Sequence, residues 1–299
     1  MQHLLSVNNL NLQQIKHIIN RALAFKQGQA YANYPSSRLA NLFYENSTRT
    51  RISFELAASH LSIPVVHLDL ERSSEAKGES IEDTIKNLVA MGIDLFVIRH
   101  ALDFLPQQLA EVLPENTHLL NAGDGKNQHP SQALLDLLTM LEYKRDLSRC
   151  KITIIGDVKH SRVANSLHDL LAIWGVKELC VVAPPQWQRP ELQFATTTDS
   201  IAEGLKNADI IICLRVQRER LFDNDQLDMA TYHRHFALTE KNLGWAKPDA
   251  IVMHPGPINR GIEIESVVAD GDQSAILQQV KNGVYIRMAM IDFLLNPPA

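Results

Sequence analysis

Lys151–Gly156 reads KITIIG, a nearly continuous run of β-branched residues that ends in a glycine. Such a run is typical of a strand that is buried on both faces of a parallel sheet. An amphipathic stretch over Arg162–Trp174 and a second apolar run over Glu178–Ala183 follow it. The order strand, helix, strand predicts a parallel sheet covered by helices. Further strands are predicted at Ala208–Leu214 and Ala250–His254.

The first half of the chain repeats this alternation. Its pattern predicts a helix over about Thr48–Leu61, with Ile52, Leu56 and Ser59 on one face. Two successive series of this kind predict an α/β fold with two doubly wound parallel-sheet domains and an active site between them. The other predicted elements of this half are strands over Arg38–Tyr44, Val65–Leu68, Asp94–Arg99 and His118–Asn121, and helices over Ile81–Met91, Leu102–Leu113 and Pro130–Tyr143.

The two series also suggest domain limits. We expect a first domain over residues 1–130 and a second over residues 131–275, with a last helix over about 276–299 that packs back on the first domain. The segment Asp69–Glu82 is polar with almost no apolar anchor, and we expect it to be a mobile loop.

Composition narrows the class of protein. The chain has 299 residues and a formal net charge of −5, so no basic excess points to nucleic acid or to an anionic membrane. No apolar run reaches the roughly 18 residues of a membrane span. The first residues lack the pattern of a secretory signal. We therefore expect a cytoplasmic protein that acts on small molecules.

The three cysteines, Cys150, Cys180 and Cys213, are far apart and lack the spacing of a zinc site or a disulfide framework. We expect three small buried residues in strand-rich segments. The sequence likewise contains no cluster with metal-ligand spacing, and we expect no metal and no organic cofactor.

Hydroxyl and guanidinium groups are concentrated where the first predicted strand meets its helix. Ser47-Thr48-Arg49-Thr50-Arg51 lies at that helix start, where unpaired N–H groups and the positive end of the helix dipole favour an anion. This is the composition of a phosphate cradle without glycines. The alternative is an ordinary Ser/Thr cap followed by solvated arginines.

Two further segments place polar groups at strand ends. Arg99 ends a predicted strand, and His129 opens a helix with Gln132 one turn later. A neutral histidine and a carboxamide can both donate to an oxygen that gains charge. His129 could equally cap its helix, and Arg99 could be a surface arginine.

The second half carries a comparable set. Arg162 follows one buried strand, and Arg215 and Gln217 follow another, two residues apart and so on one face of an extended segment. Two arginines from different strand ends suit a ligand with two carboxylates. A solvated network of arginine and glutamate is the alternative. His254-Pro255-Gly256-Pro257 is a stiff segment that can present backbone carbonyls to an amine, or serve only as a turn.

Competing motifs are weak. Gly123-Asp124-Gly125 follows a strand, but Gln128 stands where a dinucleotide fingerprint needs its third glycine. The sequence contains no P-loop and no Gly-x-Ser-x-Gly elbow. A nicotinamide dehydrogenase is therefore disfavoured.

Four segments, taken together, point to one family. Ser47–Arg51 (STRTR), His129–Gln132 (HPSQ), Arg215–Arg220 (RVQRER) and His254–Pro257 (HPGP) resemble the aspartate/ornithine carbamoyltransferase family along nearly the whole chain and in the family's order. The RVQRER segment resembles the aspartate branch. The resemblance implies carbamoyl transfer from carbamoyl phosphate to L-aspartate in pyrimidine biosynthesis, with the first domain binding carbamoyl phosphate and the second aspartate.

The resemblance also implies residue roles. It makes Ser47, Thr48, Arg49 and Thr50 the phosphate cradle, with Arg99 bridging phosphate and carbonyl. Thr50 and His129 would polarise the carbonyl, and Gln132 would hold the carbamoyl amide. The implied carbonyl donors are Pro255 and Gly256, and the implied aspartate ligands are Lys77, Arg162, Arg215 and Gln217.

A last implication concerns assembly. Ser73–Glu79 resembles the family loop that reaches a neighbouring subunit, which implies a homotrimer with Ser73 and catalytic Lys77 supplied in trans. Gly256 stands where allosteric members carry leucine, which weakens the case for a regulatory chain. A dihydroorotase chain in a larger assembly, an enzyme that uses ornithine, and a non-catalytic trimeric scaffold stay open.

Overall fold

The computed structural model describes residues 1–68, 78–217 and 227–297. The chain divides into two compact units, and both are built on a wholly parallel sheet. Unit 1 comprises Met1–Leu135 and Val280–Ala299, and unit 2 comprises Asp136–Gln279. The prediction of two parallel-sheet α/β domains is therefore confirmed.

Unit 1 contains a four-stranded sheet in the order β2-β1-β3-β4. All its neighbouring strands are parallel, and Phe43 at the end of β1 is in register with Arg99 on β3. The elements of this unit are β1 Leu39–Phe43, β2 Val65–His67, β3 Leu95–His100 and β4 His118–Asp124, with α1 Leu12–Lys26, α2 Thr48–His60, α3 Ile81–Ala90, α4 Leu105–Glu111 and the start of α5 Pro130–Tyr143.

The central strands of unit 1 are buried because their apolar runs face helices on both sides. Leu95–Ile98 of β3 is completely buried. Residues of the C-terminal helix, Ile276–Leu295, are held to α1 through the buried Asp292, which pairs with Arg21 at 2.7 Å and accepts a hydrogen bond from the Tyr34 hydroxyl at 2.5 Å.

The helix α2 differs from the sequence expectation in which face it buries. Ile52, Leu56 and Ser59 do share a face, but that face is exposed, with Ile52 and Leu56 each 47% accessible. The buried side is made of smaller or aromatic residues, namely Thr50, Ser53, Phe54, Ala57 and Ala58.

Unit 2 contains a five-stranded parallel sheet in the order β7-β6-β5-β8-β9. Its strands are β5 Lys151–Ile155, β6 Glu178–Val182, β7 Thr196–Thr198, β8 Ile210–Cys213 and β9 Ile251–Met253, and its helices are α6 Arg162–Trp174, α7 Ile201–Leu205, α8 Met229–Phe236, α9 Glu240–Leu243 and α10 Ser266–Ala269, with the start of α11 Ile276–Leu295. The sequence pattern missed β7, the helices α1 and α7 to α10, and part of the length of β4.

Two smaller expectations have clear outcomes. The three cysteines are free and buried, as predicted. The helix predicted over Leu102–Leu113 is shorter at both ends, because Phe104 adopts a left-handed backbone conformation (φ 64°) and the helix starts only after it. Of the expected mobile loop, residues 69–77 lie outside the described residues, and Ser80 already caps α3.

Candidate active site

Each sheet has a topological switch point, and the described site residues follow the strands at this point or a strand beside them. In unit 1 the strand order reverses between β1 and β3, and in unit 2 between β5 and β8. Ligands of open α/β sheets bind beyond the carboxyl ends of the strands at such points. The segments after β1, β3 and β4 in unit 1, and after β5 and β8 in unit 2, carry two sets of side chains. The unit 1 cluster is Ser47, Thr48, Arg49, Thr50, Arg99, His129 and Gln132, and the unit 2 cluster is Arg162, Arg215 and Gln217.

The start of α2 has the geometry of an anion site. Ser47 is the N-cap residue, but its hydroxyl makes no capping hydrogen bond, so the ordinary-cap alternative does not account for it. Thr50 is buried, whereas Thr48 and Arg49 are exposed to solvent. Desolvation lowers the pKa of the Arg49 guanidinium, which nevertheless stays charged at neutral pH.

Arg99 is tied to both strands that flank β3. Its Nε lies 3.3 Å from Oε2 of Glu45, which follows β1. Its Nη1 donates to the carbonyl of Ala122 on β4 at 3.3 Å. Both side chains of the ion pair are largely shielded from solvent. Arg99 is therefore fixed at the switch point and is not a freely solvated surface residue.

His129 and Gln132 are both buried at the start of α5. The backbone N–H groups of Gln132 and Ala133 donate to the His129 carbonyl. Two residues after His129, Ser131 accepts a hydrogen bond from Nη2 of Arg287 at 3.2 Å. That guanidinium also lies over the Phe54 ring, 5.0 Å from its centroid, and so links the start of α5 to the middle of α2.

In unit 2, one buried carboxylate orients Gln217. Asp157 Oδ1 lies 2.7 Å from Nδ1 of His160, and Asp157 Oδ2 accepts the Gln217 backbone N–H at 3.4 Å. The Gln217 side-chain amide donates to the His160 carbonyl at 2.9 Å. Arg162 begins α6 two residues after His160 and is buried. The loops after β5 and β8 are thus joined beside Arg162.

A second buried carboxylate joins the loops after β8 and β9. Glu263 accepts the backbone N–H groups of Asn259 at 2.5 Å and Val216 at 3.5 Å, and its Oε1 lies 3.2 Å from Nε2 of His254. His254 Nδ1 accepts the Gly256 N–H at 2.8 Å. His254 therefore stabilises the Pro255–Gly256 turn from inside, and Gly256 takes a left-handed conformation (φ 68°) that suits glycine.

Sequence reasoning missed Asp157, Glu263 and Arg287 as supports of the site. Asp157 directly follows the glycine at the end of a predicted strand, which is a signal that could have found it. Glu263 and Arg287 carry no such signal, because their partners are remote in sequence.

Some of the predicted site residues are not among those that the structure describes. Ser73 and Lys77, and the residues 218–220 of the RVQRER segment, lie outside the described residues. Among the residues that are described, no group of three His, Cys, Asp or Glu side chains could hold a metal ion. Within the same residues, no helix has the length and apolar character needed to cross a membrane.

Comparison with known proteins covers nearly the whole chain. Residues 2–142 match the family described as "Aspartate/ornithine carbamoyltransferase, carbamoyl-P binding domain" and residues 148–294 match its "Asp/Orn binding domain". A protein of Legionella pneumophila strain Corby named aspartate carbamoyltransferase catalytic subunit is 57% identical over 99% of this chain and 100% of its own. A protein of Vesicomyosocius okutanii with the same name is 43% identical over 98% of this chain and 93% of its own.

Solved structures agree with these matches. The aspartate transcarbamoylase of Trypanosoma cruzi, in complex with carbamoyl aspartate and phosphate, superposes with a TM-score of 0.88 at 29% identity and covers 97% of this chain and 95% of its own. The ornithine carbamoyltransferase of Thermus thermophilus shares the fold, with a TM-score of 0.85 at 24% identity over 98% of this chain and 99% of its own. The chain thus belongs to the aspartate/ornithine carbamoyltransferase family and is a carbamoyltransferase.

Proposed function

We propose that this chain transfers the carbamoyl group of carbamoyl phosphate to the amine of L-aspartate, giving N-carbamoyl-L-aspartate and phosphate, in pyrimidine biosynthesis. The observation that carries the choice of aspartate is the charge at the unit 2 switch point. Arg162 and Arg215 supply cations there. Two buried carboxylates contact these loops, those of Asp157 and Glu263, and both are engaged by N–H groups of the protein. The side-chain carboxylate of aspartate suits this setting, whereas the side-chain ammonium group of ornithine does not.

The unit 1 cluster supports carbamoyl phosphate as the other substrate. A phosphate dianion at the start of α2 would accept the unused N–H groups and the Ser47 hydroxyl, with Arg49 as a charged partner. The relatives from Legionella and Vesicomyosocius are named for the aspartate reaction, which favours the same substrate pair.

The proposed mechanism is direct attack. The uncharged amine of aspartate forms a C–N bond with the carbamoyl carbon, and the carbonyl oxygen gains negative charge. Arg99, His129 and Thr50 stabilise this oxyanion, while Gln132 and the carbonyls of Pro255 and Gly256 hold the amide and amine. The C–O bond to phosphate then breaks with its electron pair on the phosphate oxygen, and the phosphate takes up the proton that the amine loses and leaves into the cradle. Catalysis rests on proximity and electrostatic stabilisation.

A product assay tests this proposal. The purified chain is given carbamoyl phosphate with L-aspartate or with L-ornithine, and the carbamoylated amino acid and phosphate are measured. We expect phosphate release that depends on aspartate and matches the N-carbamoyl-L-aspartate formed. Arg215→Ala should lose this activity. Arg260→Ala, which removes an exposed arginine paired with Asp270 in the same unit, should keep it within twofold. Turnover with ornithine that equals or exceeds turnover with aspartate would refute the proposal.

We further propose that the enzyme is a cytoplasmic homotrimer in which Ser73 and Lys77 complete the site of a neighbouring subunit. An exposed apolar surface on α2 and the edge strand β2, made of Ile52, Leu56 and Val66, supports contact with a second copy. A regulatory chain or a dihydroorotase chain as an additional partner stays an expectation from the resemblance.

Subunit mixing tests the shared site. Arg49→Ala and Lys77→Ala chains, each inactive alone, should regain activity when they are mixed and exchange subunits, since some sites then combine an intact Arg49 with an intact Lys77. Light scattering should give three times the chain mass of 33.6 kDa. Hybrids without activity, despite confirmed exchange, would mean that each site is built within one chain.

A further inference from the structure

The segment Gly123-Asp124-Gly125, which resembles an incomplete dinucleotide fingerprint, has a different role in the structure. Asp124 is the last residue of β4 and is completely buried. It lies opposite His100 on β3, the residue after Arg99. His129 follows five residues later. Asp124 is therefore beside the strand that carries Arg99 and begins the segment that leads to His129.

The carboxylate of Asp124 accepts four N–H groups. Oδ1 accepts from the Asn121 side chain at 2.7 Å and from the Gln128 backbone at 3.0 Å. Oδ2 accepts from the Phe104 backbone at 2.8 Å and from the Asn127 side chain at 2.8 Å. Two donors on each oxygen require a group that only accepts, and a carboxylate is the side chain that meets this requirement.

These four bonds fix two separate pieces of chain. The Gln128 N–H belongs to the residue immediately before His129. The Phe104 N–H belongs to the segment that leaves β3 just after Arg99, and Phe104 has a left-handed backbone conformation that needs support from its surroundings. One carboxylate thus sets the position of the His129 helix start relative to the end of the Arg99 strand.

The glycine after Asp124 is needed for the same arrangement. Gly125 has a φ of 44°, and a Cβ at this position would lie 1.8 Å from Oδ1 of Asp103. The Gly125 N–H donates to the His100 carbonyl at 2.9 Å. The segment after β4 can therefore lie against the segment after β3 only with glycine at this position.

We propose that Asp124 is a positioning residue of this enzyme, which aligns His129 on the carbamoyl carbonyl by fixing the start of its helix relative to the segment after β3. This inference rests on the proposed function. Asp124→Asn keeps the size of the side chain but replaces one acceptor oxygen by an NH₂ group, which faces N–H donors and loses two of the four bonds. Because displacements of about 1 Å in a catalytic group can cost about 10²-fold, we expect kcat to fall by roughly 10- to 100-fold.

The decisive experiment is a double-mutant cycle with His129 in the full-length enzyme. If Asp124 acts through His129, Asp124→Asn should lower kcat strongly in the wild type and by less than about threefold in His129→Ala. Inhibition by inorganic phosphate should change little, because Arg49 and the start of α2 are untouched. Full additivity of the two losses would overturn the proposal, as would a kcat within twofold of wild type in Asp124→Asn.

The chain offers a matched control and a milder variant. Asp103→Asn makes the same chemical change in the adjacent segment, where Oδ1 accepts the Lys126 N–H at 2.6 Å and an amide oxygen can take over. It should retain kcat within twofold.

If Asp124→Asn does not fold, Asn127→Ala removes one of the four donors and should lower kcat about threefold, again only when His129 is present. Wild type without aspartate-dependent transfer would refute the proposed function and this inference together, whereas an active wild type with an unaffected Asp124→Asn refutes the inference alone.

Discussion

Replacing Asp157 with asparagine tests whether the unit 2 cluster binds aspartate through a pre-oriented Gln217. In the wild type, Asp157 Oδ1 holds His160, and Oδ2 accepts the Gln217 N–H at 3.4 Å. Asparagine can still accept from His160 through its oxygen. Its NH₂ group, at a completely buried position, then faces the half-buried Gln217 N–H, so that two donors oppose each other without an acceptor.

The size of the effect follows from this single lost bond. A buried donor without a partner costs about 1–3 kcal/mol, and 1.4 kcal/mol corresponds to tenfold in affinity. If the loop after β8 relaxes to recover part of this cost, Gln217 shifts away from its bound position. We therefore expect KM for aspartate to rise about tenfold, with KM for carbamoyl phosphate within twofold of wild type, because its proposed ligands of the unit 1 cluster are unchanged.

Initial-rate kinetics with each substrate varied in turn measure this split. Asp209→Asn is the control, since Asp209 is also buried in unit 2 but precedes β8 and pairs with Lys247 at 2.8 Å, at the opposite edge of the sheet. It should lower the thermal midpoint and leave KM for aspartate unchanged. Equal rises in both Michaelis constants for Asp157→Asn, or an equal rise in the control, would refute the argument that Asp157 acts through Gln217.

Three further predictions concern catalysis and stability. His129→Ala should lower kcat by about 10² to 10³ while inorganic phosphate still inhibits with nearly its wild-type constant, because the lost donor acts on the developing oxyanion; unchanged kcat would leave His129 with a helix-capping role only. Asp292→Ala should lower the free energy of unfolding, measured by urea denaturation, by about 3 kcal/mol, since the change leaves Arg21 and Tyr34 without their shared buried acceptor. A loss below about 1 kcal/mol would contradict this. Burial, with a smaller contribution from His118, lowers the pKa of His3 to about 4. Between pH 6.5 and pH 4 the unfolded chain therefore binds a proton that the folded chain does not, and the free energy of unfolding should fall as the pH drops through this range. His3→Gln should flatten this slope, and an identical slope in the variant would refute the prediction.

The strands and the positions of the site residues follow from the sequence because both depend on local pattern. Continuous apolar runs such as Leu95–Ile98 identify strands buried on both faces. The residue after such a run lies at the carboxyl edge of the sheet, which is enough to place Arg99 and Arg215 at that edge. His129 follows from a second local signal, the proline that opens the next helix. The substrate assignment added to them came from the family resemblance.

The buried face of α2 could not be obtained in this way. Ile52 and Leu56 are the most apolar residues of the helix, and periodicity alone assigns them to the core. Their exposure is explained if the relevant burial occurs between chains, which a pattern within one chain does not encode. The packing of Phe54 and Ala57 instead depends on the space left beneath α2 by the sheet.

The buried acidic residues Asp124, Asp157 and Glu263 show why the finer design of the site is hidden in the sequence. Acidic side chains are rarely buried unless they are paired. The sequence near Glu263 does not indicate that its carboxylate bonds to Val216, 47 residues away. Their role becomes intelligible only from the contacts. Each accepts N–H groups from the protein, and in every case two of these are backbone groups from segments that follow two neighbouring strands.

This use of carboxylates has an electrostatic consequence for the proposed substrates. Carbamoyl phosphate and aspartate both bring negative charge, and buried acidic groups near them would raise the free energy of binding unless their own charge is compensated. Backbone N–H groups provide that compensation for Asp124, Asp157 and Glu263 without drawing on a guanidinium. Glu45 differs, because it forms an ion pair with Arg99. A substrate anion that binds Arg99 would therefore share this guanidinium with the Glu45 carboxylate, and we expect the binding of carbamoyl phosphate to weaken the Arg99–Glu45 pair.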